Sequence, residues 1–118
     1  MENSKSSFGF KQNIVAFLSY LFGFISGLII FLLEKENKFV KFHALQSTIT
    51  FLLITVVNII LGGLSAIPFI GFLFKILLSI VGLISLVLWI VGLIFSIKNE
   101  IFKFPIIGDV VYVFLNKD

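Results

Sequence analysis

The chain runs in long apolar blocks separated by short polar ones. Residues 12–33, 44–74 and 76–97 carry no Asp, Glu, Lys or Arg over 22, 31 and 22 positions. A helix needs about 20 apolar residues to cross a hydrocarbon layer roughly 30 Å thick. The blocks therefore predict three crossings: Ile14–Leu33, Ala44–Ile67 and Phe72–Ile97. Backbone groups in lipid must be paired within their own element, which favours helices. The period-two alternation of a membrane β-barrel is absent. The stretch Gly63-Leu64-Ser65-Ala66-Ile67-Pro68-Phe69-Ile70-Gly71 is short, so the second and third helices form a tight hairpin. A fourth apolar run, Ile101–Leu115, spans 15 positions and is broken by Pro105, Gly108 and Asp109. It reads as an interfacial tail, with Asp109 capping a short last helix. The expected fold is an all-α integral membrane protein. It has a polar segment at 1–13, a three-helix transmembrane domain at 14–97 and a tail at 98–118.

Composition strengthens this picture. Hydrophobic residues make up 59% of the 118 positions and charged residues 13%, and the mean hydropathy is +1.19. Soluble domains carry about 25% charged residues, so a water-soluble enzyme and a disordered chain are both excluded. There is no Cys, hence no disulfide framework and no thiolate metal site. The nine lysines are scattered at the ends of apolar runs rather than clustered, which argues for headgroup anchoring and against nucleic acid. With three crossings, Lys5, Lys11 and Lys75 share one side. Lys35, Lys38, Lys41, Lys98, Lys103 and Lys117 share the other. The first loop and the C-terminus are then cytoplasmic and the N-terminus lies outside.

The run Glu34-Lys35-Glu36-Asn37-Lys38-Phe39-Val40-Lys41-Phe42-His43-Ala44-Leu45-Gln46-Ser47 is distinctive. It follows a helix opening Ala16-Phe17-Leu18-Ser19-Tyr20-Leu21-Phe22-Gly23, and Phe104-Pro105-Ile106-Ile107-Gly108-Asp109 comes late in the chain. Together, from about Ile14 to Asp109, they resemble a family of small prokaryotic multi-pass membrane proteins of unknown function. That family is grouped with the Tic-type component of the chloroplast protein import machinery. The resemblance implies a helical protein of the cell membrane and a remote link to transport.

Three sets of residues carry candidate chemistry. On the second helix, His43, Gln46, Ser47, Thr50 and Asn58 fall within about one third of the circumference at about 100° per residue. Such a stripe lines a polar path, or it bonds helix to helix at about 0.6–2 kcal/mol per contact. Small residues form packing faces: Ser19, Gly23 and Gly27 on the first helix, and Gly82, Ser85, Gly92 and Ser96 on the third. Lys35, Lys38 and Lys41 make the first loop a contact surface for a partner or anionic lipid. His43 is the only histidine, so a metal site lacks its ligand set. No nucleophile–base–acid grouping emerges either. The expectation is a protein without enzymatic activity or cofactor, with membrane lipid as its partner, acting as a homo-oligomer or beside another membrane protein. One functional reading is a transport- or translocation-related subunit. The other is a non-conducting structural or interaction protein.

Overall fold

A computed structural model describes residues 4–116. Its helices are α1 (Gln12–Leu21), α2 (Phe24–Leu33), α3 (Lys38–Leu64), α4 (Gly71–Ile97) and α5 (Ile107–Leu115). Among the described residues, only α3 and α4, 27 residues each, are long and apolar enough to cross a membrane. In their most apolar windows only 22% and 6% of residues are buried inside the protein. A core helix of a soluble protein would be mostly covered, so the two helices fit a membrane location. They form the expected antiparallel hairpin, closed by a short turn in which Phe69 (φ 71) is 94% exposed.

The predicted first crossing is not a crossing. It is two ten-residue helices, each about 15 Å long at about 1.5 Å per residue. The break falls at Phe22–Gly23, where Gly23 takes φ 64 and ψ −138. That region is one glycine reaches without steric penalty. The broken end of α1 is satisfied from three directions. The Ser47 hydroxyl donates to the carbonyl of Ser19 at 2.7 Å, and the Trp89 indole N–H donates to that of Tyr20 at 2.8 Å. The Ser26 hydroxyl accepts the Phe22 N–H at 3.1 Å. A helix can end in apolar surroundings only when its last carbonyls find such donors.

The two ends of this α1–α2 hairpin lie together. Asn37, just beyond α2, donates from Nδ2 to Gln12 Oε1 at 2.9 Å, at the start of α1. Gln12 Nε2 in turn donates to Asn99 Oδ1, just beyond α4. Residues 4–12, the 34–37 connection and the segment after α4 therefore gather at one end of the α3–α4 pair. The expectation that the N-terminal segment and first loop lie on opposite sides fails for this reason. Lys117 lies outside the described residues.

The second predicted helix starts earlier than expected. Asn37 is its N-cap, its side chain accepting from the Val40 N–H at 3.0 Å, and Lys38 and Lys41 enter α3. Asp109 does not cap α5. It sits in the first turn of that helix, 3.6 Å from Lys103 Nζ. Nor does the tail simply lie along a surface. Residues 100–104 run without helix back along α3, the chain turns at Pro105–Ile106 (Ile106 φ 67), and α5 returns until Asn116 meets Lys38.

Because the native chain has no Cys, single-cysteine variants report this arrangement. Lys11→Cys and Lys35→Cys should react with an impermeant maleimide from the same face of the membrane, and Phe69→Cys from the opposite face. Labelling of positions 11 and 35 from opposite faces would restore a three-crossing fold.

Candidate functional site

The polar stripe of α3 faces inward over its first half and serves the tail. His43, Gln46 and Ser47 are fully buried and Thr50 nearly so. His43 Nε2 lies 2.9 Å from the carbonyl oxygen of Glu100, which only accepts, so Nε2 carries the proton. Nδ1 then accepts from the Tyr20 hydroxyl at 2.7 Å. The Tyr20 oxygen accepts from Gln46 Nε2 at 2.9 Å, and the second amide hydrogen of Gln46 goes to the Phe102 carbonyl at 3.0 Å. Gln46 Oε1 completes the set by accepting the Phe104 N–H at 2.8 Å. Six residues from α1, α3 and the tail thus share one chain of hydrogen bonds. Every polar atom of the Gln46 amide and the imidazole ring is used.

Aromatic rings seal the network. Tyr20, Phe39 and Phe42 stand edge-on to His43 at centroid distances of 5.4, 4.8 and 5.6 Å, and Phe104 lies 5.9 Å from Tyr20. Close backbone approach admits the rings and helices. A methyl group at Gly92 would lie 2.6 Å from the Tyr20 ring, and one at Gly27 would lie 2.9 Å from the Ala44 carbonyl oxygen. Such a low-dielectric setting strengthens made hydrogen bonds and penalises unmade ones.

A second polar cluster closes the same end. The Glu34 side chain is only 2% exposed. Its oxygens accept the backbone N–H of Ser7 at 3.0 Å, that of Asn37 at 3.0 Å and that of Glu36 at 3.3 Å, together with the Ser7 hydroxyl. Burial acts to raise the Glu34 pKa, but these donors to the ionised form outweigh it and hold the carboxyl below its ordinary value. The segment around Ser7 is thereby tied to the end of α2.

The remaining sequence candidates are dispersed. Asn58 is exposed on the outer half of α3, away from the rest of the stripe. Thr50 Oγ1 is buried without a partner. Ser19 is buried in α1, Gly23 is the helix break, and Ser96 is buried with its hydroxyl on the Leu93 carbonyl. Gly82 has open space around it and Ser85 is half-buried, so α4 has no single small-residue seam. Lys35 and Lys38 are exposed and Lys41 is half-buried. Among the described residues, no three His, Cys, Asp or Glu side chains gather as a metal site. Sequence reasoning passed over Tyr20, Gln12, Asn99 and the acceptor role of Glu34. The available signal was the cluster of polar and small residues at Ser19, Tyr20, Gly23, Ser26 and Gly27, unusual in the middle of a spanning helix.

Comparison with known proteins places the chain. Residues 9–111 match the model of the magnetosome magnetite crystal formation protein family. The chain belongs to this family. A UPF0132 membrane protein of Archaeoglobus fulgidus is 48% identical over 100 residues, covering 85% of this chain and 91% of the relative. Two UPF0132 membrane proteins of Methanocaldococcus jannaschii are 46% and 45% identical, covering 90% and 86% of this chain and 90% and 69% of the relatives. No solved structure matches. The matches support a small membrane protein family of uncharacterised function and give no support to the Tic-type grouping.

Two substitutions separate the roles within α3. Gln46→Leu strands the Phe104 N–H and the Phe102 carbonyl, and should cost about 2 kcal/mol or more of stability. Thr50→Val removes a hydroxyl without a partner and should stay within about 1 kcal/mol of the parent protein. Unfolding in detergent measures both, and equal effects would refute the clamp assigned to Gln46. The Glu34 cluster has a pH signature. Its folded-state pKa is depressed, so its contribution is fully present above the unfolded-state pKa and is lost as pH falls through the folded-state value. The stability gap between the parent and Glu34→Gln should be widest near neutral pH and shrink in acid. A gap that does not change with pH would contradict the assignment.

Proposed function

We propose that this chain is a non-conducting structural protein of the membrane that works through its lysine-bearing end. The observation carrying this reading is the use of the α3 stripe. A conduit needs polar groups left free to face water or solute. Here His43, Gln46 and Ser47 are spent on the protein's own backbone and on Tyr20. Thr50 makes no such bond but is buried, and Asn58 stands exposed on an outer face, apart from the rest of the stripe.

The same reading sets the orientation. Among the described residues, Lys5, Lys11, Lys35, Lys38, Lys41, Lys98 and Lys103 belong to the end where the chain gathers, and Lys75 alone lies toward the other. The positive-inside rule makes the lysine-bearing end cytoplasmic, with the N-terminal segment on that side too. Exposed Lys35 and Lys38 then meet anionic headgroups or a cytoplasmic partner, each near-surface lysine contributing about 1 kcal/mol of attraction to an anionic leaflet. The family's description speaks of magnetite crystal formation. What the residues of this chain support is a contribution to the membrane itself, not to the chemistry of a mineral. No catalytic role is proposed, and a cofactor has no part in this reading.

Reconstitution into sealed vesicles tests the proposal. Ion and small-solute flux should equal that of protein-free vesicles, and adding anionic lipid should enrich it around the protein in native mass spectra. Flux above background that disappears in Asn58→Leu would overturn the non-conducting reading.

A further inference from the structure

Bulk is distributed unequally along the membrane normal. All the buried residues of α3 fall between Phe39 and Phe51, and the buried residues of α4 beyond its first turn are Gly92 and Ser96. Each added element stops at the same level. The α1–α2 turn reaches Phe51, whose Cβ lies 3.8 Å from a Cβ built on Gly23. Trp89 meets the end of α1 there. The tail turns where Ile107 joins Thr50, Ile54 and Leu88 around one groove. From Lys41 to Phe51 is ten residues, or about 15 Å of helix, half of a hydrocarbon layer of about 30 Å. Beyond that level α3 and α4 continue as a bare pair, with Leu53, Val57, Ile60, Leu73, Ile76 and Ile80 exposed.

One leaflet therefore holds five helices and a non-helical segment, and the other holds two helices. A helix with its side chains is about 10 Å across, so α1, α2, α5 and the non-helical segment add about 300–400 Å² to one leaflet alone. The exposed surface of the added elements is apolar, including Ile25, Ile29, Val110, Val113 and Phe114, so it is suited to acyl chains rather than water. We propose that the chain is a leaflet-specific wedge, favouring membrane that is convex on the side of its lysine-bearing end. The sense of curvature follows from geometry alone. Only its assignment to the cytoplasmic leaflet rests on the orientation proposed above.

The test reads orientation against curvature. The full chain carrying Lys35→Cys or Phe69→Cys is reconstituted into vesicles of neutral lipid, sorted from small to large, and labelled with an impermeant maleimide from outside. In small vesicles the outer leaflet is the convex one. The ratio of outward Lys35→Cys to outward Phe69→Cys should rise severalfold from the largest to the smallest vesicles. Repeating it with Lys38→Glu and Lys41→Glu added should leave the trend intact, since the wedge is a matter of bulk and not of charge. A ratio independent of vesicle size would overturn the proposal and show that another body, such as a second copy, fills the narrow half. A ratio moving the opposite way would overturn it as well. Neither result bears on conduction, which the flux measurement decides separately.

Discussion

Every backbone N–H and C=O held away from water needs a partner, and this fold departs from simple helices in two places where water is excluded. One is the break at Phe22–Gly23, and the other is the non-helical run from Asn99 to Ile106. Each departure strands carbonyls and amides that a continuous helix would have satisfied itself. The first half of α3 answers both. Ser47 serves the carbonyls of Ser19 and Gly23, while His43 and Gln46 serve Glu100, Phe102 and Phe104. Non-helical backbone at membrane depth is tolerated where protein groups enclose it, and here one helix face supplies most of that enclosure.

This constraint also explains why the polar stripe ends where it does. As far as Ser47, α3 carries groups that bond its neighbours, and from Leu52 to Leu64 it is mainly aliphatic. Beyond Ile54 and Val57, which still meet Ile107, α4 is the main neighbour of the aliphatic half, and apolar side chains there meet lipid at no penalty. Packing of Tyr20 against Gly92 and of Gly27 against α3 holds the α1–α2 hairpin at a fixed depth. The one-sided shape, with extents of 54 × 26 × 21 Å, is thus a consequence of where the polar partners lie. The non-conducting role proposed above rests on the same fact, because groups occupied in holding the chain together are not free to line a conduit.

Glu34 adds a charge-dependent element at the gathered end. A carboxylate there, at the C-terminus of α2, opposes the helix dipole. It is retained because four donors converge on it from Ser7, Glu36 and Asn37. Ser7 is therefore held by an ionised group, whereas the tail from Glu100 to Phe104 is held by the His43 ring and the Gln46 amide.

Hydropathy and spacing determined much of this protein. The block lengths gave the α3–α4 hairpin, its short turn before Gly71 and a membrane setting, because burying long apolar runs in lipid is favourable whatever the partner. The stripe was legible as a face, and its inward half from His43 to Thr50 lies on one side as the helical period requires. The first block misled for a physical reason. Its 22 uncharged residues are apolar enough to cross, but composition cannot register that donors 28 and 69 residues away, Ser47 and Trp89, stand ready to end a helix at Leu21. The same holds for the tail, whose path depends on His43 and Gln46 meeting carbonyls more than 55 residues distant. Local pattern decided which segments avoid water. Tertiary structure alone decided which of them turn back, because turning back depends on long-range partners for backbone groups.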